Sequence, residues 1–190
     1  MIVIVIVLFH TIAMRTVRNH GFTLVELMIV IVILGILTAI GVFAFQSAQQ
    51  KSRDSRRKND LSQVAKALEM YINDVGSYPV TGTGADDGKI TGCGDVAKTV
   101  CDWGTSFANT TKAVYMIKLP KDPSSTRTKY RYEKFGYGYR LYARLENLED
   151  ADIPQTGQKY YNQNCTTGAD TIYCNYAITS LNVSAPDVVP

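Results

Sequence analysis

The stretch that decides the fold is Phe22-Thr-Leu-Val-Glu-Leu-Met-Ile-Val-Ile-Val-Ile-Leu-Gly-Ile-Leu-Thr-Ala-Ile-Gly-Val-Phe-Ala-Phe45, which contains one charged side chain, Glu26. At about 1.5 Å per residue, a helix of this length is about 36 Å long, which is enough to cross the hydrocarbon core of a bilayer. The sequence therefore predicts a transmembrane helix over residues 22–45.

The residues before the span have the character of a leader peptide. Arg15 and Arg18 make this region basic, and the small residue Gly21 stands directly before the apolar run, whereas a secretory signal is cut after its apolar region. A cut directly after Gly21 would make residues 1–21 a leader. We expect Met14 to be the true start and residues 1–13 to be a gene-start error; the alternative is a longer genuine leader.

Glu26 is an acid inside the apolar run, and the span holds no Lys or Arg to pair with it. Such a group costs about 2.5–3.5 kcal/mol in a bilayer unless it finds a partner or lies close to headgroup water. A cut after Gly21 would give Phe22 a free amine about one helical turn from Glu26. The amine and the carboxylate of neighbouring subunits can then neutralise each other, which would set the register of packed helices.

The heptapeptide Gly21-Phe-Thr-Leu-Val-Glu-Leu27 resembles the class III signal, or N-methylation motif, of type IV pilins and type II secretion pseudopilins. The resemblance implies cleavage between Gly21 and Phe22 by a prepilin peptidase, methylation of the new Phe22 amine, and an assembly role for Glu26. It also implies polymerisation with copies of the chain or with other pilins on an inner-membrane assembly platform.

Histidine and charge counts narrow the possible functions. His10 and His20 are the only histidines, and both precede the predicted cut. Catalytic sites that need a histidine, and zinc sites that contain one, are therefore excluded from the mature chain, which is predicted not to be an enzyme.

Residues 60–190 hold 13 basic and 15 acidic side chains, so no nucleic-acid face is indicated. Nucleic acid is expected as a partner only of a DNA-uptake pilus.

The charges on either side of the span give a conflicting orientation. Five bases follow the span, so the positive-inside rule alone would place the next domain in the cytoplasm. Two other features favour a domain outside the cytoplasm: the cysteine pairs, and a leader that must face a cytoplasmic peptidase. We therefore predict a single-pass membrane protein with an extracytoplasmic domain, which later joins an extracellular or periplasmic filament. The bases are expected to bind headgroups of the lipid bilayer or acidic patches of neighbouring subunits, or to form a solvated face: Lys51, Arg53, Arg56, Arg57 and Lys58.

The membrane helix is predicted to continue as an amphipathic helix over residues 46–75. This segment holds no proline or glycine, and apolar residues recur in it at three- and four-residue spacing: Leu61, Val64, Ala65, Leu68, Tyr71 and Ile72. Gly76 and Pro79 are expected to end the helix. The span lacks the proline that many pilins place about halfway along it, which leaves Gly35 and Gly41 as its expected weak points.

The four cysteines occur as two close pairs, Cys93 with Cys101 and Cys165 with Cys174. In a domain outside the cytoplasm they are expected to form two disulfides. Local pairing is favoured, although four cysteines allow three connectivities. A four-thiolate zinc site is the competing interpretation, but zinc ligands usually stand closer together in sequence.

Residues 76–190 are predicted to form a head domain. Residues 81–111 are rich in Gly, Thr and Asp and are expected to be a loop fastened by a disulfide, with a short helix inside it. Residues 129–134 and 139–145 are typical of a β-hairpin, and residues 172–178 of an edge strand. The predicted fold is therefore α+β, with a long N-terminal helix packed against a small antiparallel sheet.

The region from Leu119-Pro-Lys-Asp-Pro123 to Leu145-Glu-Asn147 is similar to the region after the helix in major pseudopilins. This resemblance implies a calcium site in the acidic loop, since carboxylates at near spacing can chelate a hard cation. The candidate ligands are Glu146, Glu149, Asp150 and Asp152. No EF-hand spacing is present, and the competing interpretation is a solvated acidic loop. No other cofactor is expected.

The leading interpretation is a structural subunit of a type IV pilus-like filament. A pseudopilin of a type II secretion system is the alternative within the same family. A single-span, membrane-anchored binding domain or enzyme is an alternative of another class. An enzyme would need a convergent set of acid, base and nucleophile, which the sequence does not offer.

Overall fold

The computed structural model describes residues 21–94, 99–109, 113–155, 159–184 and 186. The chain divides into two compact units, residues 1–45 and residues 46–190. The predicted leader lies outside the described residues, apart from Gly21.

The described part of the first unit is mostly the apolar part of helix α1, which runs from Leu24 to Val75. The large apolar side chains between residues 24 and 42 are exposed, from 48% for Val30 to 74% for Leu24. In the described part of the chain, α1 is the one helix long and apolar enough to cross a membrane, and an 18-residue stretch of it has a mean hydropathy of 3.0. A helix over this stretch is confirmed, although it begins at Leu24 and not at Phe22, and it passes through Gly35 and Gly41 without a break.

The amphipathic part of α1, residues 46–75, belongs to the second unit. Its predicted stripe is confirmed, since every member is buried or partly buried: Leu61, Val64, Ala65, Leu68, Tyr71 and Ile72. Ala67, which the sequence analysis did not select, is buried as well. The predicted end is also confirmed: Gly76 adopts a φ of +82° and its N–H donates to the carbonyl of Ile72 at 2.7 Å.

Seven described strands follow the helix, preceded by a 3₁₀ turn at Gly84–Asp86. They are β1 (Ile90–Thr91), β2 (Val100–Cys101), β3 (Phe107–Ala108), β4 (Val114–Met116), β5 (Arg131–Phe135), β6 (Gly138–Ala143) and β7 (Tyr176–Thr179).

The main sheet has the strand order β5-β6-β7 and is antiparallel throughout. The predicted hairpin is confirmed, with Gly136 and Tyr137 as the two-residue turn between β5 and β6. Gly136 suits this turn because its φ is +58°. The expected edge strand is β7, which begins four residues later than predicted and pairs with β6. All six residues of the central strand β6 are buried.

Two small hairpins correct the prediction of a loop over residues 81–111. Strand β1 pairs with β2, and β3 pairs with β4, both antiparallel. These strands are only two or three residues long, so no alternating pattern can show in the sequence. The turn before β2 runs close to α1, because a Cβ added to Gly92 would lie 2.6 Å from the Tyr71 hydroxyl.

Tyrosines form much of the core of the second unit. Tyr71 on α1 stacks on Phe107 of β3, with ring centroids 5.4 Å apart. Tyr132 of β5 is fully buried and donates its hydroxyl to the carbonyl of Pro79 at 2.6 Å. Tyr137, at the tip of the hairpin, is the contrasting case and is 96% exposed. The sheet therefore covers the apolar stripe of α1 with aromatic rings, which is the predicted α+β arrangement.

The cysteines form two disulfides in the local connectivity that the spacing favours. Cys93 pairs with Cys101 with their Cα atoms 5.5 Å apart, and Cys165 pairs with Cys174 at 5.2 Å. This pairing leaves no free thiol for the competing zinc site. The second disulfide packs with Tyr142 of β6 in a small separate cluster, which fastens the segment before β7 to the sheet.

Candidate functional site

The N-terminal end of α1 is closed by a capping box. Thr23 is the residue before the helix, and Glu26 lies three positions further on. The Thr23 hydroxyl accepts a hydrogen bond from the Glu26 N–H at 3.2 Å. In return, the Glu26 carboxylate accepts hydrogen bonds from the N–H and the hydroxyl of Thr23, both at 3.0 Å. The two residues therefore satisfy polar groups that a helix start otherwise leaves unpaired.

Glu26 thus has a partner within its own chain, which the sequence analysis missed. The signal was present, because a Thr followed three positions later by a Glu ahead of an apolar run is the pattern of a capping box. Such a box accepts Gln as well as Glu, so its hydrogen bonds do not require the charge of Glu26. The charge of Glu26 therefore needs a separate explanation.

The predicted cleavage site lies directly ahead of this box. Gly21, Phe22 and Thr23 are not helical, and the Phe22 side chain is 84% exposed. The bond between Gly21 and Phe22 is therefore in an exposed, non-helical segment, as a peptidase substrate needs to be. Cleavage at this bond and methylation of Phe22 remain predictions.

A second site is a buried group of charges that joins α1 to two later segments of the second unit. We refer to it as the Arg57 cluster, which consists of Arg53, Asp54, Arg57, Asp122 and Glu146. Arg57 is 0% exposed, Asp54 is 2% exposed and Asp122 is 4% exposed. The Arg57 guanidinium donates to both carboxylate oxygens of Asp122 at 2.9 Å, to Asp54 at 2.7 Å and to Glu146 at 2.9 Å.

The cluster also holds the backbone of the acidic loop. The Asp54 carboxylate accepts hydrogen bonds from the N–H of Glu146 at 2.9 Å and from the N–H of Asn147 at 2.8 Å. Arg53 adds a bond from its Nε to Glu146 at 2.8 Å. The cluster was not predicted from the sequence, because Arg57 and Asp122 are 65 positions apart and no sequence pattern indicates such a pairing.

The charges in the cluster stabilise one another's ionised forms. The hydrogen bond from Arg53 lowers the pKa of Glu146; burial opposes this, but the bond from Arg57 adds to it, and the pKa falls to about 2. Burial alone would lower the pKa of Arg57, yet the carboxylates of Asp122, Glu146 and Asp54 outweigh it and raise that pKa. A buried ion pair of this kind is stable only while every partner is present.

Most of the basic side chains after the span are paired with carboxylates of the same chain. This corrects the interpretation of the basic run as a headgroup-binding or solvated face. Arg57 is buried, and Arg53 is bonded to Glu146. Lys58 pairs with Asp150 and with Asp152, both at 2.6 Å. The remaining two of the five bases are exposed: Lys51, and Arg56, whose Nε lies 3.9 Å from a carboxylate oxygen of Asp60.

The candidate calcium ligands lie beside cations of the chain. Glu146 belongs to the Arg57 cluster, Asp150 and Asp152 share the Lys58 ammonium, and Glu149 is 85% exposed with the Lys159 ammonium 3.6 Å away. No group of three or more His, Cys, Asp or Glu side chains placed to hold a metal ion occurs within the described ranges. The calcium site therefore stays a prediction from resemblance.

Comparison with known proteins gives one matching motif and several similar chains. The prokaryotic N-terminal methylation motif matches residues 17–42, which include the capping box and most of the apolar run. The chain is 36% identical over 108 residues to the type II secretion system core protein G of Pseudomonas aeruginosa. The matched region covers 56% of this chain and 68% of that protein.

Two further relatives extend the comparison. The chain is 32% identical over 106 residues to the type II secretion system core protein G of Escherichia coli, covering 56% of this chain and 67% of that protein. It is 41% identical over 61 residues to the type IV major pilin protein of Myxococcus xanthus, covering 32% of this chain and 28% of that protein. No solved structure matches the chain.

Replacing Arg57 by Met is expected to lower the free energy of unfolding of the second unit by about 3–5 kcal/mol, because Asp54 and Asp122 would be left buried without a counter-charge. Denaturant unfolding of the full chain in detergent, followed by the fluorescence of the single Trp103, measures this. The matched control is Arg56→Met, whose side chain is 66% exposed and which should change stability by no more than about 0.5 kcal/mol. Equal effects of the two variants would contradict a structural role for the cluster.

Glu146 is expected to make stability depend on pH in the acid range. Its folded-state pKa of about 2 lies below the ordinary value of 4.5, so its contribution is complete above the unfolded-state value and is lost as the pH falls toward the folded-state value. The stability difference between wild type and Glu146→Gln should therefore shrink between about pH 5 and about pH 2. A difference that stays constant over this range would show that the carboxylate is not held in its ionised form by Arg53 and Arg57. Glu149→Gln removes the same charge at an exposed position and serves as the control.

Proposed function

We propose that this chain, which belongs to the family of type IV pilins and type II secretion pseudopilins, is a structural subunit of a filament that assembles from the membrane through its N-terminal helix. The observation that carries the proposal is the apolar part of α1. Its large side chains are about half exposed or more over residues 24–42, while residues 46–190 have a core of their own.

An apolar helix surface of this size needs to be covered. Burial of apolar surface is favourable by roughly 25 cal/mol per Å², so an exposed 20-residue apolar helix is very costly in water. Lipid can cover the helix before assembly, because residues 24–45 are long enough to cross a bilayer. In a filament outside the membrane, the apolar helices of neighbouring subunits provide the same cover. One surface therefore serves both as membrane anchor and as polymer contact.

The proposed processing step takes place in the segment directly ahead of α1. We infer that a prepilin peptidase cuts after Gly21 and that the Phe22 amine is then methylated. The exposed, non-helical segment ahead of Thr23 supports this inference. The cut creates a cationic chain end beside the capping box. The charge of Glu26, which the box does not use, is then available to the Phe22 amine of a neighbouring subunit in a medium of low dielectric constant.

The orientation proposed for the unassembled subunit is single-pass, with residues 46–190 outside the cytoplasm. The two disulfides support this, since disulfides persist in oxidising compartments. The five bases after the span no longer argue strongly for the opposite orientation, because Arg53, Arg57 and Lys58 are paired with carboxylates of the same domain.

A secretion pseudopilus is the specific form of filament that the relatives favour. The secretion core protein of Pseudomonas aeruginosa is matched over 68% of its length, whereas the pilin of Myxococcus xanthus is matched over 28% of its length. The match to the secretion protein also extends over more of this chain, 56% against 32%. An anchored enzyme has less support, because these relatives bear the names of secretion and pilus components and the described residues include no histidine.

Mass spectrometry of the chain isolated from its filament is the direct test of the proposed function. We expect a mature N-terminus at Phe22 that carries one methyl group. Recovery of a working protein that starts at Met1 or Met14 would contradict the proposal, because a retained leader would keep the Phe22 amine in a peptide bond.

Glu26→Gln separates the two uses of Glu26. Gln keeps the capping box but removes the charge, so the variant should still be inserted and cut at Gly21. Filament yield is expected to fall at least about tenfold, since the Phe22 amine loses a counter-charge in a medium of low dielectric constant. The control is Thr23→Val, which removes the two hydrogen bonds made by the Thr23 hydroxyl and keeps the charge, and which should assemble better than Glu26→Gln. The reverse order of yields would show that Glu26 acts only as a helix cap.

A further inference from the structure

The second unit contains a cleft of about 630 Å³ next to the Arg57 cluster. Its lining includes four of the nine arginines of the chain and none of the eleven lysines. The arginines are Arg53, Arg57, Arg127 and Arg144, and they are accompanied by Tyr160 and Tyr173. The carboxylates of the Arg57 cluster account for Arg53 and Arg57, whereas no carboxylate of the described residues accounts for Arg127 and Arg144.

Two of these arginines are already neutralised and two are not. Arg53 and Arg57 are bonded to the carboxylates of the Arg57 cluster. The Arg127 side chain is exposed and makes no ion pair with any described residue. Arg144 lies over the Tyr160 ring at 4.6 Å and donates to the carbonyl of Tyr173 at 3.0 Å, but it likewise has no ion pair there. The cleft therefore offers two guanidinium groups to an anion.

The residues that line the cleft fit an acidic side chain of a protein better than a nucleic acid. A planar guanidinium binds a carboxylate through two parallel hydrogen bonds, and arginine and tyrosine are enriched where proteins contact one another. The apolar side chains of Leu148 and Ile172 line the same cleft and can contact the neighbours of such an acid. A nucleic acid would need a basic track across the domain, whereas bases and acids nearly balance in the whole second unit, where residues 46–190 hold 18 bases and 16 acids.

One wall of the cleft is fixed covalently. Thr171, Ile172 and Tyr173 belong to the segment closed by the disulfide between Cys165 and Cys174. The backbone N–H of Lys129 donates to the carbonyl of Cys165 at 2.8 Å, which ties that segment to the strand side of the cleft. The site is therefore formed before anything binds, and binding needs little ordering of the protein.

We propose that this cleft receives an acidic segment of a neighbouring subunit in the filament, with Arg127 and Arg144 binding its carboxylates. The inference rests on the proposed function, which places copies of the chain side by side. The acidic loop is the segment that a copy can offer, because Glu149 is 85% exposed. Such a contact would link the head of one subunit to the next and would complement the contacts between the apolar helices.

The first experiment measures peptide binding to the full chain in detergent by fluorescence anisotropy at low ionic strength. The probe is an end-blocked, labelled peptide with the sequence of residues 147–152, Asn-Leu-Glu-Asp-Ala-Asp. Combined Arg127→Gln and Arg144→Gln should weaken its binding at least about tenfold. The control, Lys66→Gln with Lys118→Gln, removes the same charge at two exposed positions and should bind like wild type. An amide form of the peptide, with Gln and Asn for its acids, should not bind.

Three results would overturn the inference. The first is equal binding of the acidic and amide peptides, and the second is equal loss in the arginine and lysine variants. The third is arginine-dependent binding of a single-stranded oligonucleotide without binding of the acidic peptide, which would make the cleft a nucleic-acid site.

The second experiment compares filaments of wild type with those of Arg127→Glu combined with Arg144→Glu. We expect the variant to be processed normally and its filaments to dissociate at lower salt or temperature than wild type. Equally stable filaments would contradict the cleft contact while leaving the proposed function intact. Failure of the wild-type chain to enter any filament would instead contradict the proposed function, whatever the peptide result.

Discussion

The structure depends first on an apolar helix surface that has to be covered. The large side chains of residues 24–42 are exposed all round, which no protein tolerates in water. A bilayer is one cover, and a bundle of identical helices is another. The same constraint applies to Glu26: an acid in such a surface is costly without a partner, and the capping box with Thr23 satisfies its hydrogen bonds without neutralising its charge.

The second half of α1 has a different role, because its buried face is part of the core of the folded head. Its apolar stripe is covered by the tyrosine-rich core, and the Arg57 cluster adds a polar attachment on the same helix. The pairing of Arg57 with Asp122 and of Asp54 with the backbone at Glu146 and Asn147 fixes where the acidic loop begins. Residues that look in sequence like a membrane-proximal basic run therefore act mainly as attachment points for the head.

Local patterns predicted most of the fold. The spacing of Leu61, Val64 and Leu68 identified the buried face of α1, and the glycines around Tyr137 located the hairpin, because each signal lies within a few residues. The strands β1 to β4 were missed because two or three residues cannot show a period. The Arg57 cluster was missed because it joins positions far apart in the chain, whereas the Thr23 and Glu26 box was visible in the sequence and was overlooked. Site residues that lie on one short motif are thus predictable, and those that the fold brings together are not.

The central claim is that one apolar surface is covered first by lipid and then by copies of the same helix. Electron cryomicroscopy of purified filaments tests it most directly. The account predicts a helical assembly in which the chain begins at Phe22, residues 24–45 form the interior and contact the same residues of neighbouring subunits, and residues 46–190 lie outside. Filaments in which residues 24–45 lie on the outer surface, or in which this segment is absent from the assembled chain, would contradict it.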